Sequence, residues 1–213
     1  MEKEFWLKKW LDHKIGFHQV KYNNFLVKHW PEFAKDKGTV FVPLCGKSKD
    51  MLYFLEQGHK VIGVEFSEIA CEEFFKENHL DYEVLIQDDF TVYISADIKL
   101  YCGDILSLKQ EDLEDVNYIF DRASLVALPH EDRVRYADFM MSNLPAAKYF
   151  LITFEFDNPD VGPPFSINEE MVKDLYSKHY KVEMVKKHEL DINLCPHSKV
   201  ITYAFDVLFF LEK

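Results

Sequence analysis

The chain has 213 residues, of which 48% are hydrophobic; that is the size of one domain, large enough to bury a core without disulfides or a metal. Its 25 lysines and arginines against 37 acids leave a net charge of −12, which repels phosphate backbones and anionic membrane surfaces at long range. Nucleic-acid and membrane partners are therefore not expected, and a small-molecule substrate is.

The segment from Met1 to Trp30 carries aromatics and leucines at helical spacing, and Pro31 is expected to end it. A first strand, Thr39 to Pro43, leads through Leu44–Cys45–Gly46–Lys47 into a helix from Ser48 to Gln57, closed by Gly58. The second strand is Lys60 to Glu65, and Ser67 opens the following helix, which runs to Asn78. Thr91 to Ser95 reads as one arm of a hairpin, and Lys99 to Cys102 is the third strand. The fourth is Val116 to Phe120, followed by Asp121–Arg122 and a helix from Pro129 or Glu131 to Asn143. Lys148 to Glu155 is the fifth strand; a Pro- and Gly-rich loop, Asp157 to Phe165, and a helix, Ser166 to Ser177, come after it. Tyr180 to His188 and Val200 to Leu211 form a final antiparallel pair.

Alternating strands and helices predict an α/β fold, Rossmann-like, with a mainly parallel sheet, helices on both faces and a C-terminal antiparallel hairpin. The chain is read as one domain, 1–213, with residues 1–38 as a helical cover over the active site. Cys45, Cys71, Cys102 and Cys195 form no C-x-x-C pair and read as reduced thiols of a cytoplasmic protein. Met1 to Trp10 has no signal-peptide core, and no stretch is long enough to span a membrane. No metal site is expected.

Doubly wound sheets bind ligands beyond the carboxyl ends of their strands, and four such ends here carry polar or glycine-containing turns. Gly46 allows close backbone approach to a ligand or makes a plain strand-to-helix turn. Glu65, ending the second strand, is placed to accept both hydroxyls of a ribose; the alternative is a solvated loop acid. In Gly103–Asp104–Ile105, Asp104 could accept from an adenine amine while Ile105 covers a ring face, or Asp104 could cap the next helix. Asp121–Arg122 lies where an acceptor would meet the transferred group, or is a structural charge pair.

With these turns in place, the sequence resembles the thiopurine S-methyltransferase family, from about Trp6 to Phe165 and more weakly beyond. The residues that carry the likeness are Trp6-x-x-x-Trp10, Phe17–His18–Gln19, Phe41–Val42–Pro43–Leu44–Cys45–Gly46–Lys47 and Gly58–His59–Lys60–Val61–Ile62–Gly63–Val64–Glu65. Glu73–Phe74–Phe75, Leu100–Tyr101–Cys102, Asp121–Arg122–Ala123–Ser124–Leu125–Val126–Ala127 and Gly162–Pro163–Pro164–Phe165 continue it. The resemblance implies a class I methyltransferase fold and a cytoplasmic enzyme using S-adenosylmethionine, which leaves as S-adenosylhomocysteine. It implies cofactor contacts at Trp6, Leu44, Gly46, Glu65, Asp104, Ile105 and Arg122, and acceptor contacts at Phe17, Pro163 and Pro164. The alternative for Trp6, Trp10 and Phe17 is core packing, and for Gly162–Pro163–Pro164 a rigid turn. The chain departs from the family in the acidity of Gly103–Asp104. It departs again at Leu194 to Lys199, where mammalian members offer an arginine; the acceptor's identity is left open there.

The expected reaction is S-methylation of a thiopurine or other aromatic or heterocyclic thiol. It calls for alignment of nucleophile and methyl, and for a thiolate rather than a thiol. Arg122 is the expected stabiliser of that anion, with Asp121 either holding the guanidinium or structural; His18 is a candidate proton acceptor or a surface polar residue. A small soft nucleophile such as tellurite, a selenium species, halide or sulfide is the alternative acceptor. A nicotinamide-dependent oxidoreductase fits less well, because a pyrophosphate needs further glycines; a non-catalytic S-adenosylmethionine-binding protein is the third reading. The terminal strand pair and the net charge predict a monomer.

Overall fold

The computed structural model describes residues 3–213. The chain forms two compact units, one extending to Tyr118 and the other from Ile119 to Lys213.

The first unit contains α1 (Lys3–Leu11), α2 (Asn24–Phe33), β1 (Thr39–Val42), α3 (Asp50–Glu56), β2 (Lys60–Glu65) and α4 (Glu68–Glu77). It continues with β3 (Glu83–Gln87), β4 (Phe90–Ser95) and β5 (Ile98–Cys102). Its strands lie in the order β3-β4-β5-β2-β1. β1, β2 and β5 pair in parallel, so their carboxyl ends open on one side, and β3 and β4 add an antiparallel margin. All four residues of β1 are buried, as expected of a strand covered on both faces.

Two expectations fail here. The N-terminal helix is not continuous to Trp30. It stops at Leu11, and the chain turns through His13 (φ 52°) and a His18–Ile15 backbone bond of 2.8 Å before Asn23 caps α2. Pro31 also does not end α2, which runs two residues further and closes with Ala34 N–H on the Trp30 carbonyl. A proline near a helix end forfeits a single bond, and the burial of Trp30 and Phe33 holds the last turn. Strand β3 was not foreseen: its residues are exposed or half-buried, with none buried, so it lacks the alternation that betrays a strand.

β6 (Val116–Arg122) carries the chain into the second unit. There follow α5 (His130–Asn143), β7 (Lys148–Phe156), α6 (Glu169–Tyr176), β8 (Lys181–Glu189) and β9 (Ala204–Glu212), with strands ordered β6-β7-β9-β8. β9 lies between β7 and β8 and pairs antiparallel with both, which is the expected C-terminal hairpin. β6 passes the expected end at Phe120 and includes Asp121 and Arg122. α6 begins at Glu169 rather than Ser166, because Asn168 supplies the cap by accepting from Met171 N–H at 3.0 Å. No helix among the described residues is long and apolar enough to cross a membrane.

Candidate functional site

In the first unit the carboxyl ends of β1, β2 and β5 meet at one residue. Glu65 is 4% exposed. Its Oε2 accepts from Gly46 N–H at 3.0 Å and its Oε1 from Ser67 N–H at 2.9 Å. Its own carbonyl accepts from Gly103 N–H at 2.9 Å. Three turns are thus tied to a single acid. Burial pushes its pKa from 4.5 up to about 7, against the pull of the N–H groups of Ser67, Gly46 and Phe66. A carboxylate has roughly four lone-pair sites, more than these bonds use, so it can still accept from a ligand.

The turn after β1 has unusual backbone. Leu44 and Gly46 both have positive φ, 46° and 51°. A non-glycine residue there is strained, and such strain concentrates where function requires a particular chain path. A Cβ on Gly46 would come within 3.1 Å of the Trp10 ring. Trp10 is buried and Phe17 is 37% exposed. The Phe17 ring packs edge-on against both Trp6 and Trp10, at 5.5 and 5.4 Å. The N-terminal segment therefore lays an aromatic cluster over the Gly46 turn. Lys47 fixes the other side of that turn through ion pairs of 2.7 Å with both Glu73 and Glu77 on α4.

At the end of β5, a Cβ on Gly103 would strike the Phe90 ring. Asp104 is exposed and accepts from Leu106 N–H at 3.0 Å, so it caps a short 3-10 turn; Ile105 beside it is buried. His18 is half-buried in the N-terminal segment.

In the second unit, Asp121 and Arg122 are successive residues of a strand and so point to opposite faces. Asp121 is fully buried. Its Oδ2 accepts from the hydroxyls of Tyr136 and Tyr149, both at 2.6 Å, and the Tyr149 hydroxyl lies 3.3 Å from that of Tyr176. Burial raises the pKa of Asp121, while hydrogen bonds from Tyr136, Tyr149 and Ser124 oppose the rise. The hydrogen bonds of this carboxylate thus run to tyrosines of α5 and β7, with Tyr176 of α6 joined to them through Tyr149, on the face away from Arg122.

Arg122 is half-buried at the end of β6, and Ala123 after it has a φ of 69°. Pro163 and Pro164 are half-buried. The Pro164 carbonyl lies 3.1 Å from His197 Nε2, and Phe165 N–H donates to the Val126 carbonyl at 2.6 Å. Arg133 stands 5.1 Å from the centre of the Phe165 ring and donates to the Leu128 carbonyl at 2.7 Å. The Asp157–Phe165 loop is also tied to the segment before β9, by Asn158 to the Val200 carbonyl at 3.0 Å and by Thr202 N–H to Asp157 at 2.9 Å.

Sequence reasoning missed the tyrosines around Asp121 and the carboxylates on Lys47. Glu73 and Glu77 did offer a signal, since their four-residue spacing puts both on one face of α4. All four cysteines are free thiols. No cluster able to hold a metal ion occurs among the described residues.

The family described as Thiopurine S-methyltransferase (TPMT) matches residues 1–211. A thiopurine S-methyltransferase of Pseudomonas fluorescens (strain Pf0-1) is 43% identical over 192 residues, which cover 89% of this chain and 88% of the relative. One from Nitrosospira multiformis is 42% identical over 193 residues, with the same coverage of both chains. Among solved structures, the 1,6-didemethyltoxoflavin-N1-methyltransferase of Burkholderia thailandensis, with bound 1,6-didemethyltoxoflavin and S-adenosylhomocysteine, superposes with a TM-score of 0.65. It is 13% identical, over 99% of this chain and 87% of that one. A SAM-dependent methyltransferase from Anabaena variabilis gives a TM-score of 0.62 at 16% identity, over 98% of this chain and 94% of that one. At such identities the structures establish the fold alone, and that fold is the class I methyltransferase fold.

Proposed function

The chain belongs to the thiopurine S-methyltransferase family, and on that premise we propose that it methylates the sulfur of a thiopurine or another aromatic or heterocyclic thiol. As a member it is an S-adenosylmethionine-dependent S-methyltransferase.

Two observations bear on whether the first unit's residues fit that cofactor. The first is the bare Gly46 turn, with φ of 51°, where a Cβ would crowd the Trp10 ring at 3.1 Å; it leaves the backbone open to close approach. The second is Glu65, a buried acid with acceptor capacity to spare, which suits the two donors of a ribose. The residues fit. Glu65 would take the ribose hydroxyls, Leu44 and Gly46 would meet the cofactor through their backbone, and Trp6, Asp104 and Ile105 would border the remainder.

When bound, the cofactor supplies a methyl carbon on a sulfonium, already a good leaving group. Arg122 would favour the thiolate form of the acceptor, because a nearby cation favours the charged form of an acid. A guanidinium is a fixed cation, so it would assist without moving a proton. Asp121 would act through the backbone, holding the end of β6 by the tyrosine bonds. By the family resemblance, Phe17 of the first unit would offer the acceptor an apolar contact, and Pro163 and Pro164 of the second unit would offer theirs.

The whole chain is taken to work as one methyltransferase domain, with residues 1–38 as its cover. It is taken to be monomeric, supported by the net charge of −12 and by lysines along the β8 edge, and to be cytoplasmic, supported by its four free thiols.

The single observation that carries the cofactor assignment is the convergence of three strand ends on Glu65. The test is a methyl-transfer assay over a panel of thiopurines, aromatic thiols and small soft nucleophiles, with calorimetry of adenosylhomocysteine against NAD. Methylation of the heterocyclic thiols supports the reading. Turnover confined to tellurite, halide or sulfide overturns the acceptor, and binding of NAD alone overturns the cofactor.

A further inference from the structure

The second unit places an acid on the Arg122 side of the sheet that the reading above does not use. The rings of Phe120 (β6), Phe150 (β7) and Phe210 (β9) form a row across three strands, with centroids 5.7 and 5.4 Å apart. Side chains two residues apart on a strand share a face. One step from Phe120 is Arg122, two steps from Phe150 is Phe154, and two steps from Phe210 is Asp206. Phe154 is paired directly with Asp206, and Asp206 with His188 of β8. Asp206 is half-buried, and burial raises its pKa, while Arg122 and then His188 act on the carboxyl to lower it. In turn Asp206 and Asp191, after burial, push up the Cys195 thiol in the segment before β9. The neighbouring charges Lys187 and Glu155 pair with each other at 2.8 Å, and each lies one residue out of step with this face.

The same corner reaches the loop assigned to the acceptor. Phe156, one step beyond Phe154, packs on the His197 ring at 5.7 Å, and His197 holds the Pro164 carbonyl. Arg122, Asp206, His188 and the His197–Pro164 contact therefore belong to one face of one unit.

We propose that Asp206 is a specificity-determining residue of the acceptor site: its carboxylate offsets the charge of Arg122, so that the site takes aromatic thiols bearing no second negative group. A thiolate brings one negative charge, for which the guanidinium is a match. An acceptor carrying a carboxylate as well brings a second charge toward Asp206, and like charges facing each other in a partly buried site disfavour binding. This rests on the assignment of Arg122 to the acceptor.

The experiment compares thiophenol with 4-mercaptobenzoate, two thiols that differ by one carboxylate. The unaltered enzyme should show the higher kcat/KM for thiophenol. Asp206→Asn should move the ratio toward 4-mercaptobenzoate by about tenfold or more, and Arg122→Gln should move it the other way. Adenosylhomocysteine affinity should stay at the parental value in Asp206→Asn. A merely structural role would lower both rates together, so a ratio unchanged within about threefold in a variant of parental cofactor affinity overturns the proposal. If Asp206→Asn does not fold, Asp206→Ser, which removes the charge with less bulk, decides by the same ratio. If the unaltered enzyme methylates neither thiol but does methylate small inorganic nucleophiles, the acceptor reading itself fails and this proposal falls with it.

Discussion

The side-chain carboxylate of Glu65, at the end of β2, accepts a hydrogen bond of 3.0 Å from the backbone N–H of Gly46 in the turn after β1. The two residues are 19 apart in sequence, and neither is exposed. The bond joins two strand ends, and burial, against the pull of this bond, raises the proton affinity of the acid above that of a free carboxylate.

That affinity gives a prediction with a definite sign. The folded pKa of Glu65 is about 7, against 4.5 for the free group. Between these values the folded protein keeps a proton that the unfolded chain has released. The contribution to stability is therefore fullest at low pH and declines as pH rises through this interval. Ribose hydroxyls favour the charged form, so adenosylhomocysteine affinity should weaken as pH falls below about 7, by up to about tenfold per pH step. Glu65→Gln should abolish this pH dependence and cost about tenfold or more in affinity at about pH 8, since a hydrogen bond to a charged group contributes ~1.5–3 kcal/mol. Calorimetry across the pH range checks both; a pH-independent affinity in the unaltered protein would remove Glu65 from the ribose.

Gly46→Ala should destabilise the protein by about 1–2 kcal/mol, the penalty for a side chain in left-handed backbone, with further strain from the approach to Trp10. Cofactor affinity should fall as well. Trp10→Phe should recover part of the stability of Gly46→Ala but not its affinity, because the ligand meets the backbone rather than the indole. Denaturant unfolding paired with calorimetry reads the two effects separately.

The tyrosines on Asp121 predict a structural phenotype. Tyr136→Phe and Tyr149→Phe should each cost about 1–3 kcal/mol, since each removes a donor from a buried carboxylate. Their effects should be non-additive in a double-mutant cycle, because both hydroxyls serve the same oxygen. Adenosylhomocysteine affinity should hardly change; a collapse of affinity with unchanged stability would make this network part of the ligand site instead.

Arg122 should separate charge from shape. Arg122→Lys keeps the cation but loses the planar fork, so methyl transfer should fall less than in Arg122→Ala. In Arg122→Ala the pH–rate profile with a heteroaromatic thiol should move toward higher pH, because the bound thiol no longer ionises beside a cation. Adenosylhomocysteine binding should be near parental in both. Joint loss of binding and activity without a shifted profile would make Arg122 a cofactor or structural residue.

The strand-and-turn pattern was legible because it is local. Gly46, Glu65 and Gly103 each end an apolar run, and a strand end followed by a polar turn announces itself in sequence. The family motifs were legible for the same reason, being short ordered strings. Tertiary pairing decided the rest. Whether the N-terminal helix ran on past Leu11 depended on where Trp10 and Trp30 found buried surface, which helical spacing does not encode. That β6 includes Asp121 and Arg122, and so sends them to opposite faces, turned on two residues of strand length. That Asp121 meets tyrosines of α5 and β7, while Asp206 pairs with Phe154 and His188, followed from the pairing of distant elements, with β9 inserted between β7 and β8. Hydrophobic periodicity is a property of one segment, whereas the partner of a buried charge is chosen by elements distant in sequence, and only the folded chain brings those together.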